Sequence, residues 1–183
     1  MDMDRALVIQ MKAGNKRALG QLVERHKKQA FQIALGLVGN KDDAYDISQE
    51  AFLRVYRSAK TFDERQPFLP WFYTIIANLC RSALRRRTTS KRRDVNMDDV
   101  SYLLVSDDDP EGALIKRETI ARVRQGLREL PFADREIISL QHFRGMSYDE
   151  IAALLDIPRG TVMSRLYYAR KKLAVIMLEK EGQ

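Results

Sequence analysis

SYDEIAALLDIPRGTVMSRLYYARKKLAVIML, residues 147–178, is the stretch that decides the fold. Ser147 and Glu150 stand three residues apart, the spacing at which a cap hydroxyl and an N3 carboxylate each accept a backbone N–H. A short helix therefore opens there. Ala152 is small enough for a second helix to cross closely, Asp156 falls in the turn, and Val162 anchors the helix that follows. At about 100° per residue, Val162, Leu166, Ala169 and Leu173 share the inward side of that helix. Ser164, Tyr167 and Lys171 point the opposite way, flanked by Met163 and Tyr168. This is the spacing of a helix-turn-helix, and an outward face of polar and aromatic groups rimmed by Arg and Lys suits a DNA major groove. A helical hairpin with a merely solvated basic face fits the same pattern.

Working outward, the preceding segments are helical as well. Gly (9) and Pro (5) are scarce among 183 residues, alternating β-branched runs are missing, and periodicity near 3.6 recurs, so the fold is all-α. ALIKRETIARVRQGLREL is one helix, ended by Pro131, and FADREIISLQHFR is the next, closed by Gly145. Nearer the start, RALGQLVERHKKQAFQIALGLVG ends at Gly39, a natural C′ position. Asn40 then caps KDDAYDISQEAFLRVYRSAKTF, whose first turn carries Asp42 and Asp43 beside the positive end of the helix dipole. DERQP interrupts the pattern, and Pro70 is placed to open the helix WFYTIIANLCRSALRRR, residues 71–87.

The charge is unevenly spread. Residues 1–93 hold 19 Lys/Arg against 9 Asp/Glu, residues 94–115 hold 7 acidic groups and no basic one, and residues 116–183 hold 13 against 9. The net charge is +7. Two basic blocks flanking an acidic strip suggest a polyanionic partner, with nucleic acid foremost. The chain reads as two small helical domains, 1–93 and 113–183, joined by an acidic linker, 94–112. Fully extended, the roughly 25 residues between the blocks reach ~80–90 Å, whereas two turns of duplex need only ~70 Å. Within the linker, VSYLLV is apolar enough to suggest a short ordered piece.

Two helix faces are unusual. On 71–87, Trp71, Thr74, Asn78, Arg81, Ser82 and Arg85 fall on one narrow side, with Phe72, Tyr73, Ile75, Ile76, Ala77, Leu79, Cys80, Ala83 and Leu84 around the rest. That side carries an amide, hydroxyls, guanidiniums and an indole but no carboxylate, a composition suited to contact with DNA. On DDAYDISQEAFLRVYR, Asp42, Asp46, Gln49, Glu50, Leu53, Tyr56 and Arg57 lie opposite Ala44, Ile47, Ala51 and Val55. An acidic face with Leu and Tyr among its carboxylates would repel phosphates and fits a protein partner.

Taken together, LRELPFADREIISLQHFRGMSYDEIAALLDIPRGTVMSRLYYARKKL resembles the −35-binding domain of a bacterial sigma factor of the extracytoplasmic-function group, within the sigma-70 family. DDAYDISQEAFLRVYRSAKTFD followed by PFLPWFYTIIANLCRSALRRR resembles that group's region 2. The resemblance implies a factor that binds core RNA polymerase, directs it to −35 and −10 promoter elements and helps melt the −10 DNA. It implies −10 contacts by Thr74, Asn78, Arg81 and Arg85. A base-capturing loop would span Thr61 to Phe68 and include Phe62, with Trp71 either contacting a base or serving as a core aromatic. It implies −35 contacts by Arg159, Thr161, Met163, Ser164, Arg165, Tyr167, Tyr168 and Lys171. Asp46, Gln49, Glu50, Leu53 and Tyr56 would meet the β′ clamp helices, the C-terminal domain would meet the β flap, and an anti-sigma factor would be a further partner. The linker would thread the polymerase's nucleic-acid channel.

The sequence departs from the family pattern at Pro70, where Thr or Ser is usual, and at Asp156, where a turn Gly is common. Asp tolerates the left-handed conformation better than most residues, so the turn is expected to survive. Met163 and Tyr168 stand where polar residues or Arg are frequent, which bears on the preferred −35 sequence.

Other classes find less support. His26 and His142 are isolated, Cys80 is the single cysteine and lies on the apolar side of its helix, and no P-loop or metal-ligand spacing occurs. No catalytic residue, metal, cofactor or small-molecule substrate is expected. A nuclease would need clustered carboxylates, and Asp107 to Asp109 cluster only in a linker. A free-standing helix-turn-helix regulator would leave both unusual faces unexplained. The acidic start MDMDRALVIQ does not read as a signal peptide, and the single cysteine suits a reducing compartment, so the expected location is the cytoplasm.

Overall fold

The computed structural model describes residues 3–89, 122–123, 125–144 and 146–181. The acidic linker, VSYLLV included, lies outside the described residues. Among the described residues the helices run in order α1 (Met3–Lys12), α2 (Lys16–Val38), α3 (Lys41–Ser58), α4 (Phe68–Thr89), α5 (Phe132–Arg144), α6 (Tyr148–Leu155) and α7 (Arg159–Glu181). A short 3-10 turn, Ala59–Thr61, follows α3. Residues 125–129 are helical too. No strand occurs among the described residues, and the fold is all-α, built as two helical domains.

The local signals in the sequence act where they stand. Gly39 takes φ 69°, a left-handed conformation that costs Gly nothing, and its N–H donates to the Leu35 carbonyl to close α2. The Asn40 side chain accepts the Asp43 N–H and starts α3. Ser147 and Glu150 form the reciprocal capping box of α6. Asp156 adopts φ 52° and ψ 51°, so the turn before α7 is made in the left-handed region without glycine. Two boundaries differ from expectation. α4 begins at Phe68, which puts Pro70 inside the first turn, where a missing N–H leaves no bond unmade. The start of the chain forms a helix of its own, and Asn15 caps α2 after a turn at Gly14.

In the N-terminal domain, α2, α3 and α4 pack together and α1 lies along α2. Phe68 and Phe72 are fully buried and stack at 5.1 Å, and Phe52 meets Phe72 at 5.0 Å. Burying each such ring contributes about 1.5–3 kcal/mol. α1 is pinned by a buried polar triad. His26 Nε2 lies 2.9 Å from Asp4 Oδ2, its Nδ1 lies 2.8 Å from Gln29 Oε1, and its ring packs on Phe68. In the C-terminal domain, Ile137, Ile151, Val162, Leu166 and Ala169 close the core between α5, α6 and α7. The inward side of α7 is therefore the one the sequence indicated, with Leu173 half-buried at its far end.

Candidate nucleic-acid interfaces

On α4, Thr74, Asn78, Arg81, Ser82 and Arg85 are exposed and aligned, while Phe72, Tyr73, Ile76, Ala77, Leu79 and Cys80 are buried beneath them. The Thr74 hydroxyl donates to the Pro70 carbonyl at 2.9 Å, and Arg81 Nη1 donates to Asn78 Oδ1 at 2.7 Å. At the end of the helix, Arg87 pairs with Asp43 of α3 at 2.7 Å. Burial, with Glu136 nearby, pushes the Cys80 thiol up to about 12, which makes it an inert core group.

The loop before α4 is placed differently from its sequence reading. Thr61 is exposed and donates to the Ser58 carbonyl. Phe62 and Phe68, expected among the −10 contacts, are buried at 3% and 0% exposure. They hold the loop to the core and offer no surface to a base, because a ring in a short loop next to an aromatic cluster gains more by packing than by exposure. Trp71 is half-buried, 4.7 Å from Phe62 and 6.2 Å from Phe68. It is a packed aromatic that remains partly exposed. Lys12 of α1 braces the loop, donating to the Phe62 carbonyl at 2.7 Å and to Glu64 at 2.8 Å.

On α7, Arg159, Met163, Ser164, Arg165, Tyr167, Tyr168 and Lys171 are exposed and Thr161 is half-buried. Tyr167 and Tyr168 meet edge to face at 5.3 Å, and Tyr148 of α6 joins Met163, Tyr167 and Lys171 along a shallow groove. Arg159 bridges to Asp149 of α6 at 3.2 Å, one more tie between the two helices of the motif. On α3, Asp46, Gln49, Leu53 and Tyr56 are exposed, and the half-exposed Glu50 pairs with Arg54 at 3.2 Å and Arg57 at 3.6 Å. Tyr45, 59% exposed, widens the same face. The sequence reading does not include it, although its position three residues after Asp42 puts it beside that face.

The carboxylate that the α4 face lacks is brought to it from α5. Glu136 is 8% exposed and accepts the Tyr73 hydroxyl at 3.0 Å, with Arg81 Nη2 at 3.9 Å. The Arg81 guanidinium lies 4.8 Å over the Phe132 ring. Burial raises the Glu136 carboxyl above the ordinary range, opposed by the Tyr73 hydrogen bond and by the charges of Arg81 and Arg165. Beside it, Arg135 reaches the Leu37 carbonyl at 2.6 Å and the Arg128 and Leu130 carbonyls at 2.8 and 3.0 Å. Neither Arg135 nor Glu136 stands out in the sequence, where both read as ordinary surface charges. Among the described residues no group of His, Cys, Asp and Glu could hold a metal ion.

Two family profiles match along the chain in order: Sigma-70 region 2 over residues 22–89 and Sigma-70, region 4 over residues 120–173. The chain belongs to the sigma-70 family. It is 31% identical to the RNA polymerase sigma-H factor of Pseudomonas aeruginosa, over 94% of this chain and 92% of that one. It is also 31% identical to the ECF RNA polymerase sigma factor SigW of Bacillus subtilis, covering 90% and 91%. Among solved structures, CnrH in complex with the cytosolic domain of CnrY aligns with TM-score 0.70 and 31% identity, over 96% of this chain and 97% of that one. Region 2 of the sigma-70 family thus spans most of α2 through α4, and region 4 spans α5, α6 and most of α7.

Proposed function

We propose that this chain, as a sigma-70 family member of the extracytoplasmic-function group, binds core RNA polymerase and directs promoter-specific initiation through two DNA-reading faces. The observation that carries the reading is the pair of carboxylate-free exposed faces, on α4 and α7, in the two regions matched by the family. Asn78, Arg81 and Arg85, with Thr74, meet the −10 element, and the exposed part of Trp71 with Thr61 flanks a flipped base. Phe62 and Phe68 support that loop from below. Ser164 and Tyr167 read −35 bases, Met163 and Tyr168 supply apolar contact, and Arg159, Thr161, Arg165 and Lys171 hold the groove and phosphates. Asp46, Gln49, Glu50, Leu53 and Tyr56 of α3, joined by Tyr45, grip the β′ clamp helices, and region 4 meets the β flap. The acidic linker, 94–112, lies along the polymerase's transcript path.

The chain works in the cytoplasm, where polymerase is, and carries out no reaction of its own. The described helices are too short or too polar to cross a membrane. CnrH, at 31% identity, is solved with a cytosolic domain of CnrY. A protein partner of that kind, an anti-sigma factor, completes the proposal. The test is run-off transcription with purified core enzyme beside DNA binding by the protein alone. Promoter-dependent transcripts are expected only with core and this chain together, with weak duplex binding by the chain alone, since each half offers a small interface. Tight, promoter-specific binding without core would replace the reading with a free-standing helix-turn-helix regulator.

A further inference from the structure

Lys12 belongs to neither proposed DNA face, yet its ammonium is engaged. It ends α1, where a cation complements the helix dipole. A lysine serving only that purpose keeps its ammonium in water, because ordering its stem costs rotamer freedom. Here the side chain crosses to the loop before α4 and is 22% exposed. Nζ donates to the Phe62 carbonyl at 2.7 Å and to Glu64 Oε1 at 2.8 Å, partners 50 and 52 positions away. Charge-assisted bonds are the stronger kind, and one of these two fixes backbone. The family match to region 2 begins at residue 22, so α1 stands outside it.

The helix that delivers Lys12 is firmly seated. Leu7, Val8 and Met11 are buried, and Asp4 binds His26 at 2.9 Å and Arg25 at 2.7 Å. Gly14, at φ 91°, donates to the Met11 carbonyl at 2.9 Å, so the backbone is set on both sides of Lys12. The loop is stiff within itself. Asp63 accepts the Arg65 N–H at 3.0 Å and the Arg65 guanidinium at 3.0 Å, and the Gln66 N–H donates to the Asp63 carbonyl at 3.0 Å. A stiff loop is aimed by its ends. At one end Lys12 holds the Phe62 carbonyl, and the Phe62 ring meets Trp71 at 4.7 Å. At the other, Phe68 packs on His26 at 5.3 Å, and His26 is held by Asp4. Both ends are therefore referred to α1.

We propose that Lys12 is a positioning residue for base capture: by fixing the Phe62 carbonyl from α1, it holds the loop in the shape that receives a flipped −10 base. The proposal rests on the assignment of that loop to a base. Lys12 touches no DNA and acts only through where the loop stands. A loop already in its binding shape spends less of the interaction on ordering. If loss of the bond leaves the loop correctly placed about one-tenth of the time, affinity for a strand carrying the captured base falls about tenfold. A strand lacking that base gains nothing from the loop, so its affinity stays the same.

The variants are Lys12→Met, which keeps most of the stem and donates nothing, and Lys12→Arg, which can donate to both partners again. In the free chain, hydrogen–deuterium exchange over residues 59–68 should quicken in Lys12→Met and return to the natural rate in Lys12→Arg. Holoenzyme assembled from core polymerase and the full chain supplies the second measurement. Its probe is a labelled DNA single strand selected from a random library by the natural holoenzyme, then made with one abasic site at a time. Lys12→Met is expected to bind the intact strand about tenfold more weakly and to lose about tenfold of the abasic penalty at one base. The penalties elsewhere should be unchanged, and Lys12→Arg should match the natural chain. A merely structural Lys12 would leave every penalty as it was, or weaken all strands by one factor. Either result overturns the proposal, as does unchanged exchange or an Arg variant that behaves like Met. If no abasic site costs the natural holoenzyme anything, the base-capture reading itself fails, and the positioning role falls with it.

Discussion

Replacing Arg135 with Met tests how the two regions are held, and the structure sets the size of the effect. The Arg135 guanidinium donates to three backbone carbonyls, two within region 4 and one at the end of α2. Met fills much the same volume but donates to none of them. A buried acceptor left without a partner costs ~1–3 kcal/mol, and the lower end applies to carbonyls that can turn toward solvent when the interface loosens. Three acceptors give a loss of ~3 kcal/mol. A gain opposes it. Burial holds the Arg135 pKa below its ordinary value, which shows that the charged group is poorly solvated where it sits, and Met removes that penalty. The net expectation is a loss of ~2–3 kcal/mol, or ~5–10 °C in the midpoint for a chain of this size. Thermal unfolding followed by far-ultraviolet circular dichroism, with urea titration as a second axis, measures it. An Arg135→Met variant as stable as the natural chain would show that desolvation outweighs the three bonds, and the two regions would then be held by their other contacts, those of Ser139, Arg128, Glu136 and Phe132 among them.

Three further outcomes follow from other parts of the molecule. Arg81→Ala should cut open-complex formation by at least about tenfold while core binding persists, and Asp46→Arg should abolish co-purification with core; charge-assisted contacts at such interfaces are worth ~2–5 kcal/mol. Both variants failing at the same step would disprove the division of faces. Glu136 has its carboxyl raised by burial where the two regions pack, so its contribution to that packing is present below its unpacked pKa, near 4.5, and lost as pH rises through the packed value. Glu136→Gln keeps an acceptor for Tyr73, so its midpoint advantage over the natural chain should grow from pH 4.5 upward, and a difference flat in pH refutes the assignment. Replacing Asp107, Asp108 and Asp109 with Asn should leave promoter binding intact and change the yield of short abortive transcripts; an unaltered abortive pattern makes the segment a passive tether.

What the sequence reveals about this molecule depends on distance along the chain. The Gly39 closure, the Asn40 cap, the Ser147–Glu150 box and the left-handed Asp156 each involve partners within four residues, and each is legible. The inward stripe of α7 and the exposed face of α4 follow from periodicity alone. The Asp4–His26 tether joins residues 22 apart, which is why His26 reads as isolated. Phe62 and Phe68 stand as candidate base contacts only through the family resemblance, and only the packing of Phe52 and Phe72 shows that the core claims them. Arg135 and Glu136 are the least legible. Buried charges on an amphipathic helix look like solvated ones until the second domain is seated against them.

Trp71 is the single tryptophan of the chain. It sits beside the loop proposed to take the flipped base, packed on Phe62 and Phe68 and partly exposed. On the proposed reading, a base captured beside it would stack on the indole and quench its emission. The C-terminal domain contributes no tryptophan signal to obscure the change. Strand separation at a promoter can therefore be timed by stopped-flow fluorescence of the unlabelled factor, with core polymerase's own tryptophans subtracted through a Trp71→Phe control. If the proposed base contact holds, the residue that packs the loop would also serve as an optical clock for the opening of DNA.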